Sequence, residues 1–408
     1  MPTASMHDAL FMRTGFENLR LEPETHSQLL FGERDRRNRD ELLHGIEEGY
    51  LGGEGHKAVR YGDYGRGKTH QSQNLVYQIG KQELPVKAVY VKCTEFRKNE
   101  PFSSIFHQMI LALGSEGVKT LATEYQRQVA AGEATGLNSL LTSEEILQVF
   151  ARLSHPTLVY VRYAMRWLSG DGTLTKQERN ELITGLGPPV SLSRDFAEVM
   201  RGFSHMYTCV EHKMLVFLID EAERLQQIAH PDTFWSWAAC WRELLEIVGV
   251  GFIFLVGGKT RDELPVLLTQ PEILGRIGSS NYKDITNPGY DELKAWILEL
   301  LHTYFRKGPI PAALRDSVED AVGEEAVADT EIPPELIELV GGDAEALAAY
   351  PFSPEALHVF VTQCVTEELA NRPREVLKRM RKAAAKAVIR GQRQIDEEIV
   401  NEIQEGGF

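Results

Sequence analysis

Cysteine is scarce in this chain. Its 408 residues hold four, Cys93, Cys209, Cys240 and Cys364, too widely separated to frame disulfides or to give a metal-ligand spacing. Long apolar runs are missing too: nothing approaches the roughly 20 residues that cross a bilayer, and Met1 to Arg20 lacks the apolar core of a secretory leader. A soluble, reduced, cytoplasmic protein without membrane contact is expected. There is no excess of base either. Forty-four Lys and Arg stand against 59 Asp and Glu, a net charge of −15. That balance argues against a surface coated for nonspecific nucleic-acid binding, although a local basic face remains open. Internal repeats and long low-complexity tracts are absent, and the length allows two or three domains with ample core.

What is present begins with Gly62-Asp63-Tyr64-Gly65-Arg66-Gly67-Lys68-Thr69, which fits G-x-x-x-x-G-K-[ST] at every fixed position. Glycines let the backbone wrap a polyphosphate with successive N–H groups aimed at its oxygens. Lys68 then supplies a point charge for the β- and γ-phosphates, and Thr69 a hydroxyl for Mg²⁺. Ala58 to Tyr61 reads as a short polar strand before the loop. Lys68 to Gln82 reads as a helix after it, with Leu75, Val76 and Ile79 at helical spacing. Strand, glycine loop and helix turn the helix N-terminus toward the phosphates. ATP with Mg²⁺ is the expected ligand.

Met214 to Ile219 is an unbroken apolar run ending in Asp220-Glu221. Such a run suits a central parallel strand covered on both faces, and its carboxyl end is where open α/β sheets bind ligands. Asp220 would hold Mg²⁺, and Glu221 would orient and activate the attacking water.

Residues 1 to about 30 read as a loosely ordered arm carrying Leu10, Phe11 and Phe16. Arg34 to Gly49 is an amphipathic helix. Further strands are expected at Val86 to Val91, Val248 to Val256 and Tyr282 to Ile285, and helices at Ser103 to Leu113 and Tyr290 to Phe305. A mainly helical stretch at about 114–210 exceeds an ordinary crossover and reads as an insertion. Phe234, Trp235, Trp237 and Trp241 form an aromatic stripe suited to the core or to a subunit interface. Asp316 to Asn371 contains no Lys or Arg, whereas Arg372 to Arg393 contains nine against the single acid Glu375. The basic segment reads as one long helix burying Val376, Leu377, Met380, Ala384, Ala387 and Val388. Its cations are candidates for DNA phosphates, or for pairing with the eleven acids of Asp316 to Glu345.

In this order the parts resemble an AAA+ ATPase: an α/β P-loop NTPase fold, a parallel sheet with helices on both faces, a helical insertion and a C-terminal helical lid. The likeness spans roughly residues 30 to 405, with a core at 31–290 and a lid at 291–408. Within AAA+ it is most similar to the origin-recognition initiator clade. The opening Gly62-Asp63-Tyr64-Gly65 with His70, the segment Trp167-Leu168-Ser169-Gly170 and Leu218 to Glu223 also resemble the ATP-binding proteins of bacterial BREX-type phage-resistance systems. The resemblance implies an arginine finger reaching a neighbour's γ-phosphate, which falls on Arg276. It implies a second sensor after the proline of Ala370-Asn371-Arg372-Pro373-Arg374, which falls on Arg374, with Arg372 next. The first sensor falls on Thr260 or Lys259. It also implies assembly with copies of itself or system partners.

Two functions of different class follow. One is an oligomeric ATPase that remodels or loads onto DNA or a partner protein. The other is a nucleotide-held switch with little turnover. A small-molecule kinase is a weaker third.

Overall fold

The computed structural model describes residues 27–285, 288–305, 334–370 and 372–405. The expected positions of Leu10, Phe11, Phe16, Asn371 and most of the acidic tract lie outside them. Five strands form one sheet: β1 Lys57–Gly62, β2 Val86–Lys92, β3 Met214–Asp220, β4 Val250–Gly257 and β5 Tyr282–Asp284. All are parallel, in the order β2-β3-β4-β1-β5. The expected α/β class with a parallel sheet is observed. Every residue of β3 and β4 is buried, which explains why both read as continuous apolar runs rather than alternating ones. The polar reading of β1 also has its reason. Arg60 is buried, and its guanidinium donates to the Asn281 carbonyl at 3.1 Å.

Among the described residues, the α-helices longer than four residues are α1 Glu33–Gly52, α2 Lys68–Lys81, α3 Ser103–Leu111, α4 Ser115–Ala130, α5 Glu144–Ala151, α6 Leu158–Leu168, α7 Lys176–Leu182 and α8 Ser193–Glu211. They continue with α9 Pro231–Leu245, α10 Pro271–Ile277, α11 Tyr290–Phe305, α12 Pro334–Leu339, α13 Ala344–Ala349, α14 Pro354–Thr366, α15 Pro373–Ile389 and α16 Glu397–Glu405. None is long and apolar enough to cross a membrane, among the described residues.

The chain divides into two compact units. One gathers Met1–Glu41, Asp63–Gln78 and Ile285–Phe408; the other gathers Leu42–Gly62 and Ile79–Asp284. In the second, the stretch read as an insertion is mainly helical, as α4 to α8 with loops between them. Its Leu121, Val149, Val161 and Phe203 share one apolar core with Phe217 and Phe252 of the sheet. Trp237 and Trp241 of α9 lie in that core, ringed edge-on by Phe102 and Phe254, whereas Trp235 of the same stripe is exposed. The segment Trp167 to Gly170 is packing as well. Trp167 Nε1 donates to the Gly187 carbonyl at 3.1 Å, and a Cβ at Gly170 would stand 2.7 Å from the Val190 carbonyl.

His56 shows how tightly the amino edge of this unit is built. Gly45 and Gly49, one turn apart on α1, leave room for it: a Cβ at Gly45 would sit 2.4 Å from its ring, and one at Gly49 2.7 Å from its backbone nitrogen. Burial, reinforced by the charges of Arg60, Lys283 and Lys57, pulls the His56 pKa down to about 4. The unfolded chain therefore binds the extra proton first. Stability is full above the ordinary histidine value and drains as pH falls toward 4, by on the order of 3 kcal/mol. Denaturant unfolding across that window should show a shallower loss in His56→Gln than in the parent chain. Parallel curves would mean that the ring is protonated equally in both states.

Candidate functional site

The phosphate loop belongs to the first unit. β1 ends at Gly62, the chain turns through Asp63 to Gly67, and α2 starts at Lys68. Gly65 and Gly67 both take left-handed backbone angles, φ +83° and +77°. Any side chain would be strained there, although the space around Gly67 is open. The requirement at these two positions is thus conformational. Asp63 accepts from the Tyr64 backbone N–H at 2.8 Å, which fixes the start of the turn. Lys68 is buried and donates to the Asp63 carbonyl at 3.0 Å, with the exposed Tyr64 ring 5.8 Å from its ammonium. Arg66 is buried, and Thr69 is half-buried on the first turn of α2. His70 hydrogen-bonds the Leu29 carbonyl, and Asn74 donates to the Ser27 carbonyl at 2.6 Å. The end of the expected arm is therefore strapped to the loop helix, with Leu29 and Phe31 buried in the core of the C-terminal helices.

The same unit brings an arginine to the loop. Arg372 stands immediately before α15; its Nη2 lies 3.5 Å from Asp63 Oδ2, and its Cβ and Cγ lie 3.6 Å from where a Gly65 Cβ would be. Arg374 is exposed on the first turn of α15. Beside Arg372, Ala370 and Pro373 line a cavity of about 260 Å³, together with Gly32, Asp35 and Trp296. Asp35 is buried, and that burial raises its pKa despite the Arg34 guanidinium 2.9 Å away.

The basic helix α15 buries each of its expected apolar residues. Among the described residues, four of the nine cations of this segment pair with acids on α15, α16 or the stretch before α15. Arg379 pairs with Glu367, Lys378 with Glu375 at 3.5 Å, Lys386 with Glu402, and Arg390 with Glu398 at 3.2 Å and with Glu402. Glu398 and Glu402 belong to α16. Glu367 and Glu375 lie outside α16.

The carboxylates belong to the second unit. Asp220 closes β3, opposite Lys92 of β2, and is almost fully buried. Tyr90 donates its hydroxyl to Asp220 Oδ2 at 2.8 Å, and the Glu221 N–H donates to Oδ1 at 2.8 Å. Glu221 has φ +55°, a left-handed conformation that costs a non-glycine residue and is often held where function demands it. Lys92 lies 3.0 Å from Glu221 Oε1, and Arg224 lies 2.5 Å from Oε2. Glu223 accepts from the Gly257 N–H at 2.7 Å, tying this turn to the end of β4. Beneath it, burial and the adjoining Asp220 carboxylate push the Cys93 thiol well above its ordinary pKa, so the thiol stays protonated and inert.

Tyr90, Lys92 and Arg224 do not stand out in the sequence, and Glu223 does so only within the Leu218 to Glu223 segment. A polar side chain at the end of an alternating strand reads as surface. Only β2 pairing in register with β3 reveals Lys92 as a neighbour of the carboxylates. β4 ends on Gly257 without a polar side chain, and Lys259 and Thr260 lie exposed beyond it. Arg276 is held within the chain: its Nε donates to Glu246 at 2.9 Å, and Nη1 to the Glu272 carbonyl at 2.8 Å.

No family model matches this chain, and no curated protein matches it. Among solved structures, the ORC2 protein of Aeropyrum pernix in its ADPNP-ADP complexes is similar over 91% of this chain and 68% of its own, at 13% identity and a TM-score of 0.41. The ORC1 protein of Aeropyrum pernix in complex with DNA is similar over 92% of this chain and 66% of its own, at 11% identity and 0.43. A Walker-type ATPase of Pyrococcus abyssi is similar over 95% and 80%, at 15% identity and 0.37. The chain spans about two thirds of the length of the two Aeropyrum proteins.

Proposed function

We propose that this chain binds and hydrolyses ATP as an AAA+-type P-loop ATPase, and that ATP-dependent assembly lets it act on a partner protein or on DNA. The observation that carries the reading lies in the sheet. β1 and β3 are parallel and flank β4, so the chain leaves β1 for the phosphate loop at the same carboxyl edge where β3 delivers Asp220 and Glu221.

The donors fit Mg²⁺ of a nucleotide complex. Asp220 is an oxygen ligand buried at that edge, and Thr69 adds a hydroxyl at a helix N-terminus. Among the described residues no group of three or more His, Cys, Asp or Glu could hold a metal alone, which suits an ion that keeps water and phosphate oxygens as ligands. Bound there, the ion would neutralise charge on the phosphates. Lys68 would leave the Asp63 carbonyl for a phosphate. Glu221 would orient and deprotonate the attacking water, and it must first loosen from Lys92 or Arg224, which compete for its oxygens. The cavity beside Ala370 and Pro373 offers the indole of Trp296 for a base. Lys68→Ala should abolish nucleotide binding by calorimetry. Glu221→Gln should keep it while phosphate release falls by roughly 10²–10⁴-fold. Normal affinity in the first or normal turnover in the second would remove the reading.

Arg372, rather than Arg374, is the arginine we assign to the bound phosphates, because it already reaches the loop. Arg372→Ala should weaken ATP binding roughly tenfold, the worth of one charge-assisted hydrogen bond, and Arg374→Ala by less than about twofold. The reverse ranking in a titration would restore Arg374.

Arg276 is proposed to serve a neighbouring copy once it leaves Glu246. Mixed Arg276→Ala and Lys68→Ala chains should then hydrolyse ATP faster than either alone, since some interfaces regain an intact loop and an intact finger. A co-assembled mixture without that gain would return Arg276 to an ordinary surface pair.

The ion pairs along α15 favour a partner protein over DNA for that helix, since each pair must break before a phosphate contact forms. A place in phage defence rests on the sequence likeness alone. Salt-dependent binding to duplex DNA, lost on charge reversal of Arg381 and Arg393, would favour DNA instead.

A further inference from the structure

A second cavity, of about 570 Å³, lies wholly in the second unit, at the amino edge of the sheet where β3 and β4 begin. It is thus at the opposite end of the strands from Asp220. One wall is a face of α8: Arg201, Ser204, His205 and Thr208 recur at helical spacing, and His212 and Lys213 follow as the helix ends. The other wall is apolar, with Met214 at the start of β3 and Ile247 and Val248 from the turn into β4. Val248 is 72% exposed there, and Leu140 at the rim is 41% exposed.

The charges are uneven. Arg201, His212 and Lys213 face Glu246 as the one acid of the lining, and Glu246 is already held by Arg276. Lys213 has an ordinary reason to be there, since cations complement the carbonyl end of a helix, and it pairs with Glu211 at 2.9 Å. Arg201 has no such reason. It stands nearly three turns upstream, and no hydrogen bond or ion pair engages it among the described residues. A guanidinium beside exposed aliphatic surface in a cavity of this size is a recognition pair: one end for an anion, the other for an apolar body.

We infer that this cavity is a binding site for an organic anion of metabolite size, with a carboxylate or phosphate head on Arg201 and an apolar body against Ile247 and Val248. The site is separate from the one proposed for ATP, and it stands whether or not that reading does. The head group could belong to a fatty acid or to an aryl phosphate; both share the chemistry the cavity presents.

Anilinonaphthalene sulfonate, an apolar aromatic anion, is the probe. Titrated into the full chain, it should saturate at one site per chain. Arg201→Glu and Val248→Asp should each weaken it by at least about tenfold with unchanged melting temperature. ATP should not displace it. Decanoate and phenyl phosphate then separate the two sources by which one competes. Binding that does not saturate, that survives Arg201→Glu, or that ATP displaces would overturn the site. If Arg201→Glu melts early, Arg201→Gln must give the same loss of probe in a fully folded chain, and failure to do so also overturns it.

Discussion

Burial of both faces of β3 and β4 is the constraint on which the rest of this protein depends. A parallel strand sealed above and below can meet water only at its ends, so whatever chemistry it carries must gather there. The apolar run from Met214 to Ile219 therefore does two things at once. It supplies the middle of the core, and it delivers Asp220, still buried, to the carboxyl edge of the sheet. Tyr90, Glu221 and Glu223 follow from that placement: a hydroxyl and a backbone N–H satisfy Asp220, and Glu223 ties the turn to the end of β4.

Three of the candidate residues are held by interactions that the proposed function would have to break. Lys68 rests on the Asp63 carbonyl, Glu221 between Lys92 and Arg224, and Arg276 on Glu246. These bonds compensate charges that would otherwise sit partly desolvated. In the reading proposed above, activity would require an exchange of partners: a phosphate for a carbonyl, a water for a cation, a neighbour's nucleotide for Glu246. An exposed pair such as Arg276–Glu246 is weak and easily traded.

The amino edge of the second unit is built on a different principle. Backbone closeness dominates, with Gly45 and Gly49 admitting His56 and the Gly249 N–H reaching the Gly53 carbonyl at 2.9 Å. Beside that tight packing, α8 and the turn into β4 leave an open cavity with an unengaged arginine. A packed core leaves only its rims free, and the two proposed sites lie at opposite edges of one sheet.

The sequence by itself determined the strands of the sheet and the glycine turn before α2. The strands at Lys57–Gly62, Val86–Lys92 and Met214–Asp220 and the helix from Lys68 were legible because apolar period and glycine placement are local properties. Glycine at 65 and 67 is likewise a local demand, set by the sign of φ. Tertiary structure alone decided the partners. Lys92 meets Glu221 only through strand register, and Arg372 rather than Arg374 meets the loop because α15 begins at Pro373. Lys386 and Arg390, at the end of the basic stretch, meet Glu402 of α16, 16 and 12 residues on. Charge attracts at any distance in a sequence, but only packing decides which charges come within a few ångströms.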